Sequence, residues 1–141
     1  KSITLIDPKH ISSKGISELD ISLLKEKQNY EEVRRITKII VRKDLRAVDI
    51  SDFLVAYLPD DVRTTGTTHE IIQSDSQKKP TLLICPTGIQ NISAWFFGII
   101  PIEYMFDSID KAIEYLRNID NEEIEEIDDD RWQFIIQSLR S

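Results

Sequence analysis

Four short apolar runs are spread along the chain, separated by longer stretches in which polar and apolar residues are mixed. Turn-forming residues bound these runs: Asp7-Pro8 follows the first, Pro59 follows the second, and Pro80 and Pro86 enclose the third. Short apolar runs with such boundaries are typical of buried strands. The pattern predicts strands at 3–7, 52–58, 80–85 and 100–106, the last of them at a sheet edge.

The intervening stretches repeat apolar residues every three or four positions, as amphipathic helices do. Val33, Ile36 and Ile40 form one such stripe, and Ser108 precedes another as a typical N-cap. The spacing predicts helices at 17–27, 30–49, 67–77, 89–98, 108–119 and 132–139.

The order strand, helix, strand, helix, strand predicts an α/β fold with a parallel sheet. In such a sheet the loops that follow the strands lie along one edge, where ligands bind. The loop 59–69, "PDDVRTTGTTH", falls at that edge. We therefore expect functional side chains there.

The charge pattern divides the chain into an α/β domain over 1–119 and a C-terminal part over 120–141. The stretch "DNEEIEEIDDD" (120–130) is acidic enough to be a solvated connector. After it, the apolar residues share one side of a helix, which we expect to pack on its own domain or on a neighbouring subunit. These residues are Trp132, Ile135, Ile136 and Leu139.

Composition narrows the classes of protein. A length of 141 residues suits one domain, and a net charge of −7 argues against binding a nucleic acid polymer. No run reaches the roughly 20 apolar residues of a membrane span, so no membrane association is expected. The single cysteine, Cys85, ends an apolar run, which predicts a core thiol and a reducing, cytoplasmic setting. Because Lys1 leads at once into a strand pattern, we expect a segment of a longer reading frame.

Several familiar site signatures are missing from the sequence. His10 and His69 have no partners at metal-ligand spacing. The sequence contains neither the Walker A motif nor the G-x-G-x-x-G motif, the two glycine-rich patterns that bind phosphate groups. We therefore expect no metal and no cofactor. The aromatic run Trp95-Phe96-Phe97 is interpreted as core or subunit interface rather than as a surface for stacking bases.

The stretch "GTTHE" (66–70) allows two interpretations of Glu70. Thr67 and Glu70 fit the S/T-x-x-E capping box, in which each side chain satisfies a backbone N–H; this is the commoner meaning of the pattern. A carboxylate in the first turn of a helix is also kept ionised by the helix dipole and can act as a nucleophile. Gly66 would let the backbone approach a ligand closely.

The stretch "GTTHE" belongs to a longer series of segments along the chain. The series consists of Asp44 at a helix end, "SDFLVAYLPD" (51–60), "GTTHE" (66–70), "KKPTLLI" (78–84) and "QNISAW" (90–95). In order and spacing, including the 26 residues from Asp44 to Glu70, they resemble the nucleoside 2-deoxyribosyltransferase family. The resemblance covers about residues 3–118. It implies a Rossmann-like, flavodoxin-like parallel sheet flanked by helices, and a homo-oligomer of at least two chains.

The resemblance also implies an activity, the cleavage of the N-glycosidic bond of a 2′-deoxynucleoside. Glu70 would attack the sugar to give a covalent deoxyribosyl-enzyme, and a second inversion would retain configuration overall. Asp44 would protonate or hydrogen-bond the departing base. The implied substrate-binding residues are Thr64, Gly66, Thr67 and Asn91.

Two of these residues also have simpler interpretations. Asp44 suits a solvent-facing carboxylate paired with Arg42 or Lys43, and Asn91 suits a helix N-cap. The sequence alone leaves both alternatives open.

The sequence departs from the family pattern in two places. Nothing here corresponds to the family's first strand and its loop, so that strand lies upstream or that half of the pocket is lost. Thr64 stands where nucleoside transferases carry an aspartate for the sugar 5′-hydroxyl. A neutral hydroxyl at a helix N-terminus suits a 5′-phosphate, as in the family's hydrolase branch, but Asp60 and Asp61 lie nearby.

Two function classes therefore remain. The first is an enzyme acting on a 2′-deoxynucleoside or its 5′-monophosphate, and the acceptor is water or a second base. The alternative is a non-catalytic nucleotide-binding or protein-interaction module that keeps the fold.

Overall fold

The computed structural model describes residue 4 and residues 18–59, 65–122 and 129–140. The chain divides between Ile50 and Ser51 into two compact units. We call them the N-terminal unit and the C-terminal unit, and each is described by itself.

The N-terminal unit contains two helices, α1 (Glu18–Glu26) and α2 (Tyr30–Ile50), which agree with the predicted 17–27 and 30–49. Gln28 has a left-handed φ of 58°, and this lets the Asn29 N–H bond back to the Leu24 carbonyl at 2.9 Å, which closes α1. The apolar stripe of α2 is the side that is buried, at Ile36, Ala47 and Val48.

The C-terminal unit is built on a parallel sheet, as the alternation of elements predicted. Its strands are β1 (Leu54–Tyr57), β2 (Thr81–Ile84) and β3 (Met105–Phe106), in the order β1–β2–β3. In the register of the sheet, Tyr57 lies opposite Ile84 and Ile84 opposite Phe106. The fold is therefore mixed α/β, with a three-stranded parallel sheet among the described residues. The strand predicted at 3–7 lies, except for Thr4, outside the described residues.

Helices flank this sheet. They are α3 (Thr65–Ser76), α4 (Ala94–Phe97), α5 (Ile109–Asn121) and α6 (Asp130–Arg140), together with the 3-10 turns Ile89–Asn91 and Ile102–Tyr104. Ser108 caps α5 as predicted, since its hydroxyl accepts a hydrogen bond from the Lys111 N–H at 3.2 Å.

Two predicted elements differ most from those in the structure. The helix predicted at 89–98 is wrong as one element, because Ile92 and Ser93 adopt extended angles between the 3-10 turn and α4. The strand predicted at 100–106 keeps only its last two residues. Pro101 starts a 3-10 turn before it, and apolar composition alone does not show where a strand begins.

The core of the C-terminal unit lies around β2. All four β2 residues and the following Cys85 are buried, as predicted for the thiol. Thr81 donates its hydroxyl proton to the Lys79 carbonyl at 3.0 Å and so accepts from Ser74 at 2.8 Å. This satisfied pair lets two hydroxyls sit in the core without an unpaired polar atom.

The C-terminal helix α6 packs on this core through Trp132 and Ile136. Asp129 caps it, since one carboxylate oxygen accepts from the N–H groups of Arg131 and Trp132 at 3.0 and 3.2 Å. The other oxygen accepts a 2.6 Å hydrogen bond from the hydroxyl of buried Tyr104. One carboxylate thus starts the helix and binds it to the residue before β3.

A second set of contacts holds the same helix end. Arg131 forms an ion pair with Asp75 at 2.9 Å and donates to the Lys79 carbonyl at 3.2 Å. The Trp132 ring N–H donates to the Tyr115 hydroxyl at 2.9 Å. Most surface ion pairs contribute little, but both side chains of the Arg131–Asp75 pair are largely buried. The start of α6 is therefore fixed against α3 and α5.

Replacing Asp129 tests how far the unit depends on this junction. Asp129→Ala removes both the cap and the acceptor for Tyr104, and we expect the free energy of unfolding to fall by about 2 kcal/mol. Asp129→Asn can still cap the helix and should lose roughly half as much. Urea unfolding at neutral pH measures both, and a stability of Asp129→Ala equal to that of the parent chain would contradict the role assigned to this carboxylate.

Candidate functional site

The carboxyl ends of the three parallel strands meet at one edge of the sheet. The segment after β1 leads into the first turn of α3, the segment after β2 contains the 3-10 turn Ile89–Asn91, and Asp107 follows β3 directly. Ligands of open parallel sheets bind at this edge. Gly66 and Thr67 lie in the first turn of the helix that follows β1, and Asn91 lies in the 3-10 turn that follows β2.

The helix α3 begins at Thr65, two residues earlier than predicted. Thr67 is therefore its third residue and not its N-cap, so the capping-box interpretation of Thr67 and Glu70 is wrong. The residues just before Thr65 lie outside the described part of the chain. A repeated Thr-Thr pattern offered several equivalent starts, and only tertiary structure selected one.

Glu70 is the sixth residue of α3 and is partly buried. It lies in the second turn, and the helix-dipole effect fades beyond the first. The dipole is therefore not the reason for which this carboxylate would remain ionised. The structure does place Glu70 on the helix that follows β1.

Gly66 is the second residue of α3 and is exposed. A β-carbon built at Gly66 would meet no atom within 4 Å. Packing inside the protein therefore does not require glycine here, unlike at Gly88, whose φ of 125° is reserved for glycine. The open space beside Gly66 is compatible with the close approach of a ligand.

Asn91 is the last residue of its 3-10 turn, so its interpretation as a helix N-cap is wrong; Ser93 precedes α4. The Asn91 amide donates to the carbonyl and the hydroxyl of Thr87 at 3.2 and 3.0 Å. The Thr87 hydroxyl in turn lies 3.5 Å from the Cys85 sulfur. Asn91 therefore holds the segment after β2 in shape.

Asp44 lies on α2 in the N-terminal unit. Burial raises the pKa of the Asp44 carboxyl above its ordinary value of 3.8. Within the described part of the chain it forms no ion pair with Arg42 or Lys43, so the expected pairing is wrong. A partly buried carboxyl with a raised pKa is better suited to carry a proton than an exposed one.

One side chain at the edge was not singled out from the sequence. Asp107 is partly buried at the end of β3 and forms an ion pair with Lys111 at 2.9 Å. The sequence feature that could have identified it is a carboxylate directly after the predicted strand 100–106. In the same described ranges, no group of three or more metal-ligating side chains is found.

The comparisons with protein-family models, with curated proteins and with solved structures gave no match. No described helix is both long and apolar enough to cross a membrane.

Alanine substitutions at two glycines test two different properties: whether the space beside Gly66 is open, and whether the backbone at Gly88 requires glycine. Gly66→Ala should raise the free energy of unfolding by about 0.5–1 kcal/mol, because alanine favours the helix and meets no neighbour. Gly88→Ala should lower it by about 1–3 kcal/mol, because alanine cannot adopt this φ without strain. Thermal or urea unfolding compares the two variants. A destabilised Gly66→Ala would show that its surroundings are not open.

The raised pKa of Asp44 predicts how its stability contribution changes with pH. The folded state binds this proton more tightly than the unfolded chain, so the contribution is complete below pH 3.8. It is lost as the pH rises through the raised pKa. The stability of the parent chain relative to Asp44→Asn should therefore fall with rising pH. Urea unfolding of both proteins from pH 3.5 to 7 measures this difference in stability. Glu114→Gln, which replaces an exposed carboxylate, is the control. A stability difference between the parent chain and Asp44→Asn that does not vary with pH would contradict burial of the Asp44 carboxyl.

Proposed function

We propose that this chain is a nucleoside 2-deoxyribosyltransferase-like enzyme, with Glu70 as its nucleophile. It cleaves the N-glycosidic bond of a 2′-deoxynucleoside or of its 5′-monophosphate. The observation that carries the proposal is the position of Glu70, on the helix that follows the carboxyl end of β1 in a parallel sheet. That edge is where a small-molecule substrate of such a sheet is held.

The reaction proceeds in two displacements. The Glu70 carboxylate attacks the anomeric carbon, a carbon–oxygen bond forms, and the bond to the base breaks with its electron pair leaving on the base nitrogen. Water or a second base then attacks the same carbon and releases Glu70. Two inversions give overall retention of configuration.

Departure of the base requires a proton, which the resemblance assigns to Asp44. Burial shifts the pKa of this carboxyl upward, which is the direction that a general acid requires. No cofactor takes part in the proposed reaction.

Substrate binding falls to the two segments at the sheet edge. The exposed backbone at Gly66 and the side chain of Thr67 belong to the first turns of α3, where backbone N–H groups favour an anion. Asn91 acts by holding Thr87 in place. Thr64 would distinguish a nucleoside from a 5′-monophosphate. We further propose a cytoplasmic homo-oligomer.

The test of the proposed function is the release of free base. Incubation with 2′-deoxynucleosides and their 5′-monophosphates, followed by chromatography, should show free base from one of the two classes. Glu70→Gln should lower the rate about a thousandfold or more, as losses of nucleophiles do. Mass spectrometry of the intact parent protein should detect the deoxyribosyl adduct.

The matched control is Glu114→Gln, which removes an exposed carboxylate on α5. It should leave base release unchanged. Base release that survives Glu70→Gln, or an adduct that persists in that variant, would overturn the mechanism.

A second candidate is a non-catalytic nucleotide-binding or protein-interaction module. It is favoured by large apolar side chains on the surface of the C-terminal unit, Trp95 at 72% and Ile102 at 64% exposure. Thermal stabilisation by nucleotides or by a partner protein, together with the absence of base release, would support this candidate over the enzyme.

A further inference from the structure

The segment that follows β2 passes from the core to the surface between Cys85 and Thr87. Cys85 is only 2% exposed, whereas Thr87 is exposed. Because β2 lies between β1 and β3 in the described sheet, this segment follows the central strand of that sheet. Ligands of parallel sheets bind at the carboxyl ends of the strands. Thr87 therefore carries an exposed hydroxyl in the middle of the candidate site.

The turn that carries Thr87 is fixed by its own backbone. The Gly88 N–H donates to the Cys85 carbonyl, and the Asn91 N–H donates to the Gly88 carbonyl, both at 3.0 Å. The positive φ of 125° at Gly88 requires glycine. A side chain on such a turn is held in place before a ligand arrives, and this lowers the entropy cost of binding.

The side-chain amide of Asn91 occupies one lone pair of the Thr87 hydroxyl oxygen. The amide nitrogen lies 3.2 Å from the Thr87 carbonyl oxygen. Because a carbonyl oxygen only accepts hydrogen bonds, the amide must point its nitrogen, and not its oxygen, at Thr87. The same nitrogen lies 3.0 Å from the Thr87 hydroxyl. The hydroxyl therefore accepts a hydrogen bond from Asn91.

The Cys85 thiol occupies the second lone pair of the same oxygen. Its sulfur lies 3.5 Å from the Thr87 hydroxyl oxygen. A buried S–H group gains by donating to an acceptor, and sulfur is itself a weak acceptor, so the hydrogen bond runs from the thiol to the hydroxyl. A hydroxyl oxygen has two lone pairs. With both occupied, Thr87 acts towards a ligand only as a hydrogen-bond donor.

A single neutral donor suits a carbonyl oxygen better than it suits a phosphate. The segment 86–92, "PTGIQNI", contains no lysine or arginine, whereas a phosphate is usually held by cations or by several backbone N–H groups. Keto and amino nucleobases differ at one ring position, where the former accept a hydrogen bond and the latter donate one. A group that only donates distinguishes the two kinds of base.

We propose that Thr87 is a specificity-determining residue that selects 2′-deoxynucleosides with keto bases over those with amino bases. The Thr87 hydroxyl donates a hydrogen bond to the keto oxygen of the base. An amino group at the same ring position would point its own hydrogen at the hydroxyl proton, and no hydrogen bond would form. This specificity rests on the proposed function, because the base of the substrate must reach the segment after β2.

Ligand affinities test this role of Thr87 without requiring turnover. Isothermal titration calorimetry of Glu70→Gln compares 2′-deoxyinosine with 2′-deoxyadenosine, and 2′-deoxyuridine with 2′-deoxycytidine; each pair sets a keto base against an amino base. In at least one pair the Kd of the keto nucleoside should be lower by about threefold or more. Glu70→Gln/Thr87→Val lacks the hydroxyl but keeps the branched shape, and its Kd values within that pair should agree within about twofold.

Two further substitutions in Glu70→Gln separate the hydroxyl from the rest of the side chain. Thr87→Ser keeps the hydroxyl and should keep the preference for keto bases. Ser76→Ala removes an exposed hydroxyl from the last residue of α3 and should leave the preference unchanged. Urea unfolding checks that each variant is folded.

Three results would overturn this role. They are the absence of any preference for keto bases in Glu70→Gln, a preference that survives Thr87→Val, and a preference that is lost in Thr87→Ser. Titrations with the corresponding 5′-monophosphates add a fourth. If Thr87→Val weakens all monophosphates equally and no nucleoside, the hydroxyl binds the phosphate and not the base.

Failure of the specificity and failure of the enzymatic mechanism give different results. If the parent chain releases free base but Thr87→Val leaves the preference intact, the specificity assigned to Thr87 is wrong and the mechanism stands. If no base is released but the preference exists and is lost in Thr87→Val, the binding role of Thr87 stands and the enzymatic mechanism is wrong.

Discussion

The position of α6 on the C-terminal unit depends on the Asp129 carboxylate. This carboxylate caps α6 with one oxygen and accepts the Tyr104 hydroxyl with the other. Burial and this hydrogen bond raise the pKa of Tyr104 far above its ordinary value of 10.0, so the hydroxyl keeps its proton and always donates. Burial also raises the pKa of Tyr115, the acceptor for Trp132, to about 12. Both hydroxyls therefore keep their protons even at a pH at which an ordinary tyrosine loses its own.

This junction and the candidate site lie at opposite edges of the sheet. Arg131 contacts Asp75 in the last turn of α3 and the Lys79 carbonyl just before β2, and Tyr104 immediately precedes β3. These positions belong to the amino ends of the strands. The segments at the carboxyl ends are thus not needed to hold α6, which leaves them available for binding and chemistry, as is usual for parallel sheets.

Much of the fold follows from patterns a few residues long. The stripe from Val33 to Val48 predicted α2 within a residue, and Ser108 predicted the start of α5. The apolar run 80–85 predicted the buried strand β2. The site was less accessible to this reasoning. The capping box proposed for Thr67 failed because the Thr-rich stretch allows several helix starts, and for Asp44 the sequence left a general acid and a solvent-facing carboxylate both open.

The sequence by itself determined the element types and the parallel α/β order, because periodicity and bounding prolines act over a few residues. Only the tertiary structure decided that α3 begins at Thr65, that Asn91 holds Thr87, and that α6 is fixed by Asp129. The Tyr104–Asp129 and Asp75–Arg131 contacts join residues 25 and 56 positions apart. No local pattern encodes such a pair, because its partners meet only when the strands and helices between them have packed.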